Sequence, residues 1–227
     1  MHRAFVGMLV AAFCACWAGE SRAEGCAPEK LLKIVTQAYQ PDLDPASFAA
    51  QPKTLWRLGE KYVRLEELPN REAQVHLLAV IHEPDIWLVN RLENKGRHMV
   101  DPGPTFVTHL PLFAELTESI WPALEFGCEA HFFRTRGAVA LHKETEIVYL
   151  LIEGDLKVRL FTDLKDRPLK AEAERGDFKR GVEYLSYETL RKADMKLFEK
   201  PAGVEYEEAA LAPETVSPSP PVPPPSR

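Results

Sequence analysis

The sequence predicts a β-rich α+β domain: an antiparallel meander and a second set of antiparallel strands, built as a sandwich or a strongly curved sheet, with three or four flanking helices. Three observations predict it. Between residues 54 and 101, short apolar runs are broken by turn residues at intervals that suit consecutive hairpins. Residues 146–162 repeat the pattern around Gly154-Asp155. Apolar residues at helical spacing recur in segments outside these runs.

The first element, PEKLLKIVTQAY, carries Pro28 where a first helical turn tolerates it and Leu31, Leu32, Val35, Ala38 and Tyr39 at helical spacing, so a helix is expected. DPASFAA reads as a further helical turn capped by Asp44. TLWRL and YVRLEEL alternate apolar with charged residues around Gly59, as a hairpin with one wet face does. VHLLAVI and IWLVN are apolar on both faces and belong in a sheet covered on both sides, and RHMVD continues the meander. LFAELTESIWPALEF keeps Leu112, Leu116, Ile120 and Leu124 in one helical stripe.

EAHFFRT and AVALH read as strands flanking Gly137. EIVYLLIE and LKVRLFT form the clearest hairpin, with Leu156, Val158 and Leu160 facing in and Lys157 and Arg159 facing out. SYETLRKADMKLFEK is expected to be a helix with Ser186 as its cap and Pro201 beyond its end.

The ends differ from this middle. Residues 1–23 read as a signal peptide: Arg3 precedes an apolar run from Phe5 to Trp17, and Ser21 and Ala23 are the small residues before a cleavage point. That run is too short to span a bilayer as a helix. Residues 24–211 are read as one domain, and 212–227 as a proline-rich disordered tail, with seven prolines among its last fifteen residues. Losing the leader takes the formal charge from −6 to about −7. An exported protein of that charge is a poor partner for nucleic acid, and no later apolar run is long enough to cross a membrane.

Two cysteines remain, Cys26 and Cys128. In an oxidising compartment they read first as one disulfide. The rival reading is a reactive or metal-binding Cys128 with His131 three residues on.

Motifs for several chemistries are missing. There is no G-x-S-x-G, no P-loop, no G-x-G-x-x-G, no C-x-x-C and no H-E-x-x-H. The acidic clusters EELPNRE and HEPD sit beside turns, where solvated carboxylates are ordinary. The stretch GRHMVDPGPTFVTHL offers His98, Asp101 and His109 as catalytic candidates around a stiff Pro/Gly corner. His76 and His98 are expected to share a sheet face, through a three-residue Glu83-Pro84-Asp85 turn that sets His76 opposite Leu92 and a three-residue Asn94-Lys95-Gly96 loop. Aromatic candidates for a binding surface are Trp56, Trp87 and Phe133, with Tyr62 and Phe132 nearby in sequence.

The expectation is a non-enzymatic exported binding or assembly module without a cofactor or metal, acting on an envelope protein, a glycan or a small molecule. The alternative is a metal-binding or hydrolytic enzyme using the His/Asp cluster at 98–109.

Overall fold

The computed structural model describes residues 26–41, 43, 44, 47, 50–100 and 126–208. Among these residues twelve strands form one sheet. In chain order they are β1 (Leu32–Tyr39), β2 (Lys53–Leu58), β3 (Tyr62–Glu67), β4 (Leu77–His82), β5 (Asp85–Asn90) and β6 (Lys95–Val100), then β7 (Val139–His142), β8 (Ile147–Glu153), β9 (Leu156–Thr162), β10 (Pro168–Arg175), β11 (Phe178–Thr189) and β12 (Glu205–Glu208). Their order across the sheet is β12-β6-β5-β4-β3-β2-β1-β11-β10-β9-β8-β7. Two up-and-down meanders, β1–β6 and β7–β11, are joined where β11 pairs antiparallel with β1. Among the described residues only β12, which pairs with β6, runs parallel to its neighbour.

This corrects the expected α+β class to a largely all-β one. Among the described residues there is one α-helix, α1 (Glu129–Thr135), and one 3₁₀ turn, Met195–Phe198, where three or four helices were expected. The sandwich alternative fails with it, since all twelve strands lie in a single hydrogen-bonded sheet.

Each misreading has a physical reason. The first segment forms β1 because Leu32, Ile34 and Thr36 also alternate, and three consecutive β-branched residues, Ile34 to Thr36, suit a pleated strand better than a helix. EAHFFRT forms α1, which buries Ala130 and Phe133 three residues apart against the sheet. Ser186 to Thr189 continue β11, and the real cap lies further on, where Asp194 accepts from the Lys196 N–H at 3.1 Å. β10 and the first half of β11 carry little sequence signal because their inward residues include the small Ala171 and Ala173, which give little alternation in hydropathy. The helix expected from Leu112 and most of the turn expected from Asp44 lie outside the described residues.

The helix-bearing face, here the inner face, holds the main core. It runs from Ile81 and Ile86 through Leu55, Val63 and Ile34 to Val182, Leu160 and Tyr149, with Phe126, Ala130 and Phe133 from the helix region. β4 and β5 are covered on their outer face too, as their apolar composition predicts: Leu78, Val80, Trp87 and Val89 form a second cluster under Val204 and Tyr206. The cover is the irregular segment after β11 rather than a second layer of regular structure. It crosses β3 and β4, where Arg64 donates to the Leu197 carbonyl at 3.2 Å and Phe198 lies 5.5 Å from the Tyr62 ring.

The β8–β9 hairpin has the expected two-residue loop, with Gly154 at φ 63°. The β4–β5 loop does not follow the expected form. His82 pairs with Asp85, leaving a two-residue Glu83-Pro84 turn whose peptide bond is cis, so His76 stands opposite Arg91, and its carbonyl accepts from the Arg91 N–H at 2.9 Å. In the next loop Asn94, not Gly96, takes the positive φ, and His98 pairs with Trp87 rather than Leu92. Both register errors are odd in residue number, so they cancel. His76 and His98 do share the outer face, but about four residues apart along the strands, some 13 Å.

Candidate functional site

The described residues gather chemistry in three places. The first lies under the start of α1. β1 and β11 lose register between Val35 and Thr36, where Ser186 and Tyr184 are their partners and Leu185 is the extra residue. Without that bulge, residues 184 and 187 would point to opposite faces. With it, Tyr184 pairs with Thr36 and Tyr187 with Ile34, both inward, with ring centroids 6.2 Å apart. The two phenols meet Glu129, the first residue of α1.

Glu129 is fully buried. Its carboxylate accepts from the Tyr184 hydroxyl at 3.1 Å and from the Gly127 N–H at 3.0 Å. Burial pushes its carboxyl up to about 7, against the pull of its own backbone N–H, Tyr184, Gly127 and the nearby Arg57 charge. Burial first, then the Glu129 charge, also raises both tyrosines. Arg57 is buried as well, donating to the Phe126 carbonyl at 2.7 Å and to the Gly59 carbonyl at 3.2 Å. The cluster therefore staples α1 to β1, β2 and β11 through polar groups that find their partners indoors.

Cys26 and Cys128 border this cluster. Both bear on the Tyr187 hydroxyl, and the Cys26 thiol points at the Gly127 carbonyl 4.0 Å away, one residue from Cys128. No disulfide joins them in the structure. Cys128 is buried while His131 is exposed on α1, so the helix does not bring those two together.

The second place is the β5–β6–β12 edge. His98 lies between two carboxylates: Nε2 is 2.8 Å from Asp85 Oδ1 and Nδ1 is 2.7 Å from Glu208 Oε2. Its ring stacks on Trp87 at 5.8 Å and 15°. The hydrogen bond to Asp85, then that to Glu208, raises the His98 pKa above the usual histidine range. Both ring nitrogens are engaged, and a general base needs one with a lone pair free to take a proton. Asp101 and His109, the other members of the expected cluster, lie outside the described residues. Among the described residues no three His, Cys, Asp or Glu side chains are arranged to hold a metal ion.

The third place is the inner face at β4–β6, beyond the helix. The top row of this face, Val63, Ile81 and Ile86, is closed. One and two pairs further along, Leu88 and Leu77 are 42% and 45% exposed, beside the half-buried Ala79. Arg97 and Lys95 stand next to them on β6, facing Glu207 and Glu205 of β12 in register. Sequence reasoning missed this strip, because a leucine in an apolar strand reads as core whichever row it occupies.

The aromatic candidates do not converge. Phe133 is wholly buried in the core. Trp56 sits on the outer face with the Arg64 guanidinium 5.6 Å from its ring centroid. Trp87 is buried beneath Val204 and Tyr206.

No protein-family model matches the chain, and no curated protein sequence matches it. Among solved structures, it is similar to an uncharacterized conserved protein from Thermus thermophilus, at 12% identity over 80% of this chain and 91% of that one, with a TM-score of 0.47. It is also similar to a LolA superfamily protein from Nitrosomonas europaea, at 12% identity over 77% and 91% of the two chains and a TM-score of 0.36. A third similarity, to PNGF-II, has 9% identity and a TM-score of 0.38 and spans 32% of that chain. No helix among the described residues is long and apolar enough to cross a membrane.

The buried carboxyl gives a pH signature. Glu129 holds its proton up to about 7 when folded and to about 4.5 when unfolded, so between those values the folded state binds more protons and stability falls as pH rises. Urea unfolding of the wild type from pH 4.5 to 8 should lose roughly 3 kcal/mol more than the Glu129→Gln variant loses. Parallel pH profiles for the two proteins would refute this.

Proposed function

We propose that the protein is an exported, non-enzymatic binding module that holds a small apolar ligand against the inner face of its sheet at β4–β6. The observation that carries the reading is the exposure of Leu77 and Leu88 on the core-bearing face, next to the closed row of Val63, Ile81 and Ile86. Neighbouring exposed leucines on the core face of a sheet leave apolar surface in water that a ligand would remove. A glycan is the weaker fit, since Trp56 and Trp87 lie on the other face. The hydrolytic reading centred on His98 is weaker again, because both imidazole nitrogens face carboxylates.

Export is read from residues 1–23, and the proline-rich 212–227 segment is taken as an extended spacer after β12. In the same reading Cys26 and Cys128 close a disulfide in the oxidising compartment, fixing the start of β1 to the start of α1. The neighbourhood of the two residues at Tyr187 supports it.

Binding is tested by titrating the mature protein with a fluorescent apolar probe, a naphthalene sulfonate, and repeating it with Leu77→Asp and Leu88→Asp. The reading expects saturable binding that each variant weakens at least about tenfold, a change near 1.4 kcal/mol, while circular dichroism stays that of the wild type. Probe binding that is absent, or unchanged in both variants, would sink it. Enrichment of a glycan or an envelope protein instead, with no probe binding, would move the function to those partners.

The disulfide is tested by mass spectrometry of unreduced protein recovered from the exported fraction. A linked Cys26–Cys128 peptide is expected, and two alkylatable thiols would contradict it.

A further inference from the structure

The chain leaves β11 at Thr189, crosses the outer face of β3 and β4, and returns to the sheet as β12 on the edge of β6. β12 is a poor strand on its own. It is four residues long, three of them glutamates, and three are exposed. Glutamate has little strand propensity.

Two side-chain arrangements on the outer face hold it. Tyr206 lies over Gly96, where a Cβ would crowd the Tyr206 ring at 3.1 Å and collide with the Leu88 carbonyl at 2.7 Å, so a side chain at 96 is excluded by the neighbouring strand. Two residues further, Glu208 reaches His98, whose other nitrogen faces Asp85. A neutral imidazole has one N–H and can donate to one carboxylate; the imidazolium donates to both. The bond from β12 to β6 and the bond from β6 to β5 are therefore made together only while His98 carries its proton.

The charged groups that face His98 among the described residues are Asp85 from β5 and Glu208 from β12. On the same face Trp87, Gly96 and Tyr206 carry no charge at neutral pH, while His82 stands opposite Asp85 in register and Lys200 lies 4.6 Å from the Tyr206 ring centroid. Lys95 with Glu205 and Arg97 with Glu207 lie on the opposite face. Their opposite charges help set the register of β12 on β6. Glu208 is 75% exposed, so water screens its bond and the hold is reversible. Under the strap the Trp87 indole N–H is buried with no acceptor among the described residues, a cost that opening relieves.

We propose that β12 is a protonation-controlled strap: imidazolium His98 clasps its end to the sheet, and deprotonation lets it leave, baring the β6 edge and the apolar surface of Val80, Trp87 and Val89. The sign follows from linkage. A histidine favoured in its charged form stabilises the closed strap below its ordinary pKa near 6.5, and that contribution is lost as pH rises through the higher closed-state value. Opening creates an unpaired strand edge, the kind of surface to which an extended segment adds by backbone hydrogen bonds.

Hydrogen exchange of the full-length protein, read as protection factors so that intrinsic exchange rates cancel, tests this at pH 5.5 and 8.5. The peptide spanning 199–208 should lose protection at the higher pH, by about tenfold for each unit separating the closed and open His98 pKa values, while the β1 and β11 peptides do not change. In His98→Gln, and separately in Glu208→Gln, protection of 199–208 should be low and the same at both pH values. Protection that is independent of pH in the wild type, or that depends on pH as strongly in Glu208→Gln as in the wild type, overturns the proposal. Glu208→Gln alters an exposed side chain, so its result stands even if His98→Gln fails to fold.

Discussion

The antiparallel pairing of β1 with β11 is the constraint on which the rest of the structure depends. Each meander is made of neighbours in sequence, and hairpins close cheaply because their loops are short. The β1–β11 contact instead joins residues some 150 positions apart and makes one sheet of two. It places Ile34 of the first meander opposite Tyr187 of the second and Thr36 opposite Tyr184, in one continuous inner core. Without it, β1 and β11 would each present an unpaired edge in mid-structure.

The same seam builds the polar cluster below α1. The bulge at Leu185 adds one residue to β11 and so turns both Tyr184 and Tyr187 inward, where Glu129 meets them with the Arg57 charge nearby. A fully hydrogen-bonded buried network specifies one arrangement more sharply than an apolar contact, because every alternative leaves a polar group unpaired. Here it fixes where the helix starts. Gly127, at φ 96° and donating to Glu129, makes the approach possible. The helix then closes one part of the inner face and leaves the β4–β6 strip open, which is the surface the functional reading uses.

How much of this could be read from the sequence varied with the range of the interaction. The β2–β3 and β8–β9 hairpins were legible because turn chemistry and alternation are local, down to the inward side chains of Leu156, Val158 and Leu160. The outer cover of β4 and β5 was legible too, from apolar residues at consecutive positions, whereas the exposure of Leu77 and Leu88 on the inner face was not. Helix and strand were confused where the decisive partner is distant. LKIVTQAY satisfies both periods, and what makes it a strand is lying between β2 and β11. The candidate sites were the least legible. His98 was singled out for a loop beyond its strand, yet its partners are Asp85 on the preceding strand and Glu208, 110 residues away on a strand that four mostly acidic residues do not announce. Glu129 gave no signal at all, since a bulge made it a site.

The claim that the two meanders are one cooperative unit sealed at β1–β11 can be tested directly by native-state hydrogen exchange in increasing denaturant. The account predicts that amides in β1, β3, β9 and β11 converge on a single opening free energy equal to that of global unfolding. If the β8–β10 amides stayed protected while those of β2–β5 exchanged through a separate, lower-energy opening, the meanders would be independent units and the account would be wrong.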